Sequence, residues 1–217
     1  MRIQIRKRCR WILGGVWIFL FMGCMGEIAH KVSPEFQAHP PRSIAVLPVL
    51  NETVSLKAPE LLRPILSQRL SRKGYEVPGT ESIDIKLQEK DIWEAGQIHS
   101  MTPQELGKLL GTDALLYSAV TEFNTTYMVV YASMTVGARF WLVDTRSGNR
   151  IWESEHEVKE KKMGFDSRSI QDALSFAALQ SYQPYMEQVV DGSMATLPNG
   201  PLYVEPPAAG CLLPAKK

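Results

Sequence analysis

The stretch from Tyr127 to Val143 restricts the fold more than any other part of the chain. Met128, Val130, Ala132, Met134, Val136, Ala138, Phe140 and Leu142 occupy every even position. A period of two places them all on one face of a single long strand. The intervening Tyr127, Tyr131, Ser133, Thr135 and Arg139 give the other face a mixed, partly wet character, and Gly137 is a candidate bulge. Asp144 to Asn149 reads as a tight turn, after which Arg150 to Val158 returns antiparallel. A hairpin with one continuously apolar face must be covered, so the rest of the chain has to supply helices that pack on it.

Those helices and their partner strands are legible upstream and downstream. Ser43 to Leu50 is a short β-branched run with apolar residues on both faces, as in a central strand, and Pro48 limits it to a strand end. Helical spacing starts near Pro59, with Leu62, Ile65, Leu66 and Leu70 on one face and Gly74 as the stop. Pro64 should kink this helix or mark its true start. Tyr75 to Pro78 then reads as a short strand, which completes a strand–helix–strand unit with a parallel sheet. Ser82 to Lys90 is assigned to a helix. Thr102-Pro-Gln-Glu105 is a capping box that opens a helix ended by Gly111. Ala114 to Thr121 is a further strand, and Asn124-Thr-Thr is expected to turn the chain. The last helix begins near Ser167 and places Ile170, Leu174, Tyr182, Met186 and Val189 at helical spacing, with a bend at Pro184. The fold class that follows is α/β: a mixed sheet with a strand–helix–strand N-terminal half, a long antiparallel hairpin, and helices packed on the sheet.

The first 23 residues have a different character. Trp11 to Gly23 is an apolar run preceded by Arg2, Arg6, Lys7, Arg8 and Arg10, with no acidic residue before Glu27. That is the pattern of an export signal, and the run is shorter than the roughly 20 residues a spanning helix needs. Its end, Leu20-Phe21-Met22-Gly23-Cys24, resembles the lipobox of bacterial lipoproteins, in which a small residue precedes a cysteine that is lipidated and becomes the mature N-terminus. Leu20 lies one place further from the cysteine than in that pattern. Cys24 is therefore the expected lipid attachment site. Residues 1–23 are expected as signal peptide, 24–42 as an extended tether rich in Pro, 43–190 as the periplasmic α/β domain, and 191–217 as a flexible tail rich in Pro and Gly.

Five of the 24 basic residues lie in the signal, which leaves 19 against 23 acidic residues in the mature part. That balance implies no nucleic-acid surface. Cys9 leaves with the signal and Cys24 is modified, so Cys211 has no partner within the mature chain. His30, His39, His99 and His156 are far apart and form no metal-ligand pair, and no nucleophile elbow or phosphate-cradling loop is present. No metal, cofactor or catalytic residue is expected. Glu153, Glu155 and Glu157 alternate as a solvated strand face does. Asn51, Tyr127 and Tyr131 are the candidate partner contacts, the first on the loop after a central strand and the others on the wetter strand face.

The order Ser43-Ile-Ala-Val-Leu-Pro-Val, Lys73-Gly-Tyr-Glu-Val, Leu109-Leu-Gly-Thr-Asp-Ala-Leu-Leu-Tyr117 and Leu142-Val-Asp-Thr-Arg-Ser-Gly-Asn-Arg-Ile-Trp152 resembles the bacterial lipoprotein family known as domain of unknown function 799. The resemblance covers Cys24 to about Val190. That family is similar in fold to the N-terminal domain of TolB and to lipoproteins of the CsgG and LpoB type. It implies an α/β domain facing the periplasm from the outer membrane, and Met25 after the cysteine implies the same membrane by its resemblance to enterobacterial sorting signals. The function expected is that of a non-enzymatic binding or assembly module of the envelope, held in membrane lipid through Cys24, with another envelope lipoprotein or a second copy as partner. The rival is a periplasmic small-ligand binder or hydrolase built on the loops at 51–53 and 92–99. A closed, polar-lined pocket at those loops favours the rival; an open groove favours protein contact.

Overall fold

The computed structural model of the chain describes residues 28–128, 131–163 and 182–205. Within them an open six-stranded mixed sheet carries helices on both faces. The strands are β1 (Ala29–Val32), β2 (Ile44–Val46), β3 (Leu50–Asn51), β4 (Ala114–Met128), β5 (Tyr131–Asp144) and β6 (Arg150–Met163). The helices are α1 (Pro34–Ala38), α2 (Lys57–Arg72), α3 (Thr80–Gln88), α4 (Pro103–Leu110) and α5 (Gln183–Thr196), with a 3-10 turn at Ala95–Ser100. The sheet runs β1-β6-β5-β4-β2, and β3 extends the same edge of β4 beyond β2. β2 and β3 are parallel to β4, while β4, β5, β6 and β1 are antiparallel in turn.

The even face of β5 is buried as its alternation requires. Met134, Val136, Ala138, Phe140 and Leu142 join Leu116 and Val120 of β4 and Trp152 of β6 in the main core. Leu62, Leu66 and Leu70 of α2 and Met186, Val189, Val190 and Met194 of α5 close that core from above. A smaller core lies on the other face. There Leu115, Tyr117 and Val143 meet Ala45 and Leu47, covered by Ile83 and Leu87 of α3, Ile98 of the 3-10 turn, and Leu106 and Leu110 of α4. The capping box forms as read: Thr102 Oγ1 accepts from the Glu105 amide at 3.3 Å, and Glu105 Oε2 accepts from the Thr102 amide at 2.8 Å.

Several boundaries differ from the sequence expectation. Asn124-Thr-Thr does not turn the chain: Asn124 pairs with Thr135 and Thr126 with Ser133, so β4 continues to Met128 and the strand read from Tyr127 begins at Tyr131. Two threonines are good strand residues, and an asparagine without a neighbouring glycine is a weak turn signal. The bulge is in β4, between Val120 and Glu122, opposite Gly137. A Cβ on Gly137 would stand 2.9 Å from Thr121 Oγ1, so the glycine makes room for its partner's bulge. Pro64 neither starts nor ends α2, which begins at Lys57 and runs through it. Tyr75 to Pro78 is no strand beyond a single parallel bridge, Ser43 to Glu76, because Pro78 and Gly79 cut it short.

The flanks are the larger correction. The described part of the expected tether carries β1, paired with β6 from Ala29↔Glu155 to Val32↔Trp152, and α1, whose Phe36 is 2% exposed in the main core. The expected tail begins inside α5, which continues through Asp191 and Gly192 to Thr196. Leu197 is buried, Tyr75 Oη donates to the Pro198 carbonyl at 2.7 Å, and the Gly200 amide donates to the Lys73 carbonyl at 2.7 Å. The expected helix from Ser167 to Ser181 lies outside the described residues, and Pro184 sits in the first turn of α5, where it breaks no hydrogen bond.

Candidate functional site

Two hollows flank the smaller core, and the local sequence explains each. The first opens where β2 ends. Pro48 stops the β2 pairing, and the chain resumes at β3 before turning into a loop organised by Asn51. The Asn51 Oδ1 accepts from the Thr53 amide at 3.0 Å and from Thr53 Oγ1 at 2.8 Å, while its Nδ2 donates to the Ser55 carbonyl at 2.9 Å. Asn51 therefore shapes the loop from within. What the loop presents outward is Val54, 98% exposed, and Leu56, 84% exposed. Beside it an open groove of about 400 Å³ is lined by Pro48, Val49, Pro59, Arg63, Pro64 and Ala95 among others. Arg63 donates to the Val46 carbonyl and pairs with Asp84 at 2.7 Å, which occupies the free edge of β2. The groove is open and mixed in character: Pro48, Val49, Pro59, Pro64 and Ala95 line it together with Glu60, Arg63 and Thr80.

The second hollow lies on the sheet face that the helices of the smaller core leave uncovered. Cross-strand register sets its rows: Tyr117 pairs with Trp141 and Trp141 with Glu153, while Arg139 pairs with Glu155. His99 stacks on Tyr117 at 5.9 Å, Tyr117 on Trp141 at 5.6 Å, and the Arg150 guanidinium closes the column 5.4 Å above the Trp141 ring. Burial under its neighbours pushes the Tyr117 hydroxyl up to about 12, so it stays neutral at every physiological pH. Beyond the column a hollow of about 360 Å³ is lined by Ala29, Lys31, Arg139, Arg150, Glu153 and Glu155 among others. Arg150 pairs with Glu153 at 2.7 Å and Arg139 with Glu52 at 2.8 Å.

The residues singled out from the sequence fall as follows. Cys24 and Cys211 lie outside the described residues. Tyr127 pairs with Ala132 and Tyr131 with Met128, so the two tyrosines occupy adjacent rungs on two strands and not one face of one strand. His99 stacks on Tyr117, and the Glu94 side chain caps the 3-10 turn. Among the described residues no group of three or more His, Cys, Asp or Glu is arranged to hold a metal ion. No helix among them is long and apolar enough to cross a membrane. Sequence reasoning missed Val54 and Leu56, whose signal was two apolar residues within a loop otherwise polar. It also missed the column at Trp141, because partners on three strands become neighbours only once the register is known.

The family model described as "Putative lipoprotein GNA1162-like" matches residues 33–197. A protein of Neisseria meningitidis serogroup B (strain ATCC BAA-335 / MC58), "Putative lipoprotein NMB1124/NMB1162", is 31% identical over 150 residues, covering 69% of this chain and 70% of that protein. The crystal structure of lipoprotein GNA1162 from Neisseria meningitidis superposes with a TM-score of 0.52 at 29% identity, over 63% of this chain and 95% of that one. The C-terminal domain of LpoB from Escherichia coli aligns at 18% identity and a TM-score of 0.37, over 54% of this chain and 83% of that one, a likeness too distant to bear on function.

Proposed function

The chain belongs to the family of GNA1162-like lipoproteins, and on that premise we propose that it is a lipid-anchored envelope protein whose domain is a non-enzymatic binding and assembly module. It is attached through Cys24 to the outer membrane and faces the periplasm. Its partner is another envelope lipoprotein or a second copy of itself. The observation that carries the reading is the loop at 52–56 beside the proline-lined groove. Two exposed apolar side chains, Val54 and Leu56, lie in the segment that links the groove residues Val49 and Pro59, and the groove of about 400 Å³ is open. Exposed large apolar residues beside an open groove suit protein contact, and a small-molecule site wants enclosure. The loop at 92–99, one of the two on which the rival reading depends, spends Ile92 and Ile98 on the smaller core and His99 on the aromatic column, and only Ala95 of it lines the groove.

The test is crosslinking and pulldown of the intact lipoprotein from membranes, comparing wild type with a Val54→Asp/Leu56→Asp variant. The variant should remain membrane-bound and lose the captured partner; an unchanged crosslinking pattern removes this surface from the proposal. Anchoring is tested separately by Cys24→Ala, which should leave precursor or soluble protein. Stable attachment requires more than one acyl chain, so cleaved Cys24→Ala protein that still fractionates with membranes sinks the lipid assignment.

A further inference from the structure

The second hollow has a position as well as a chemistry. The sequence suggests a tether reaching to Arg42, yet pairing with β6 starts at Ala29, five residues after Cys24. Five residues span at most about 17 Å fully extended. A domain of this size has a radius of gyration of about 15 Å, so an anchor at Cys24 holds the start of β1 against the bilayer and the domain cannot turn its far side to it.

Two surfaces meet at that corner. On the main-core side α5 approaches Ile28, since a Cβ on Gly192 would stand 2.9 Å from the Ile28 Cδ1, and this helix presents Glu187 and Asp191, both committed to Arg69. On the opposite side lies the hollow of about 360 Å³ whose wall includes Ala29 itself. Its charges are of both signs. Arg139 is held by Glu52 and Arg150 by Glu153, which leaves Lys31 and Glu155 without an ion-pair partner among the described residues. The two are diagonal neighbours across the β1–β6 ladder, because Lys31 pairs with Glu153 and Ala29 with Glu155. Such diagonals are about 7–8 Å apart. A cation and an anion on side chains that rise from neighbouring backbone positions, neither held by another charge, suit a small ligand that itself carries a phosphate and an ammonium. Half-buried Trp141 on the floor of the hollow is the side chain that favours a membrane–water interface.

We propose that this hollow docks on the membrane surface and takes the headgroup of a zwitterionic phospholipid of the phosphoethanolamine type, its phosphate on Lys31 and its ammonium on Glu155. The inference rests on the anchoring at Cys24 given above. Docking fixes which way the domain points. The sheet edge at β1 lies on the bilayer, and the opposite edge, at β2 and β3, is the one turned away from it.

The experiment uses the full chain in cell membranes, with a photoreactive benzoylphenylalanine replacing Ala29, Glu155 or, as the control on the exposed side of α2, Gln68. Illumination should give phosphatidylethanolamine adducts, identified by mass spectrometry, from positions 29 and 155 and none from 68. Position 155 keeps the test alive if the change at 29 disturbs β1, at a lower yield because the probe there replaces the carboxylate that holds the ammonium. Adding Lys31→Gln, with the probe at 29, should lower the adduct yield about tenfold, as the loss of one hydrogen bond between charged groups does. In vesicles of phosphatidylcholine alone, whose ammonium has no N–H to donate, the yield should also fall. Membrane-bound chain that gives only protein adducts at 29 and 155, or none, overturns the docking and leaves the anchor standing. Chain that carries no lipid and leaves the membrane overturns both.

Discussion

His156 shows how much one side chain's surroundings decide. It lies on the main-core face of β6, across from Ala138, close enough to α5 that a Cβ on Gly192 would stand 2.8 Å from its ring. Burial lowers its pKa below the usual value of 6.5. The folded chain therefore holds this proton less well than the unfolded chain does. Its contribution to stability is complete above pH 6.5 and is lost as the pH falls through the lowered folded value. The thermal midpoint of wild type should drop between pH 7 and pH 5 by more than that of His156→Gln, and superimposable pH profiles for the two would remove the effect. Gly74 is a second residue with no substitute. Its φ of +81° lies in the left-handed region, and a Cβ there would come within 2.1 Å of the Tyr203 amide nitrogen. Gly74→Ala should cost about 2 kcal/mol or more, from backbone strain and backbone overlap together. A midpoint lowered by less than a degree would show that the segment after Pro198 does not lie across the end of α2.

At the scale of elements, what was legible in the sequence was whatever local rules determine. The even face of β5, the α4 capping box and the Gly148 turn each rest on a short-range pattern: period two, a Thr-x-x-Glu spacing, a glycine at positive φ. The capping box and the turn are present at the residues read, and the even face holds from Met134 to Leu142, while Met128, read as its start, belongs to β4. Asn124-Thr-Thr was misread because strand continuation there depends on Thr135 and Ser133 opposite, and register is not a local property. The same is true of the candidate site. Trp141, Tyr117 and Arg150 are unremarkable where they stand in the sequence and become a column only because β4, β5 and β6 pair as they do. Local rules make local predictions that are correspondingly sharp. Thr102→Ala removes the oxygen that accepts from the Glu105 amide and the hydroxyl that donates to Glu105 Oε2. It should cost about 1 kcal/mol. Thr102→Ser keeps both bonds and should recover most of that loss in a denaturant titration; equal losses in the two variants would mean the threonine methyl, and not the cap, is what α4 needs.

At the scale of the whole molecule the question is where the cooperative unit ends. Composition places its limits at Ser43 and Val190, since the flanks are rich in proline and show no period, and cutting there is expected from the sequence to leave the thermal midpoint nearly unchanged. The structure reverses that expectation. A short segment needs no period to be structural when one residue in it is an anchor. Phe36, at the centre of a five-residue helix, fills the main core, and Met194 and Leu197 close the end of α5. The family match supports the wider limits, because its span from 33 to 197 runs from the N-cap of α1 to the C-cap of α5. Removing Phe36 alone corresponds to a core truncation of about 3–5 kcal/mol. For a domain of this length each 1 kcal/mol is about 2–4 °C of midpoint, so a 43–190 fragment should melt at least about 10 °C below one spanning 28–205, or fail to fold. A 33–205 fragment separates the contributions. It lacks β1 but keeps α1, and β1 is a four-residue edge strand with its first three residues exposed. Its loss should therefore cost far less than the loss of α1. If 33–205 melts as low as 43–205, the core is closed by β1 and not by Phe36, and the corner that carries the lipid anchor is also the corner that holds the sheet together.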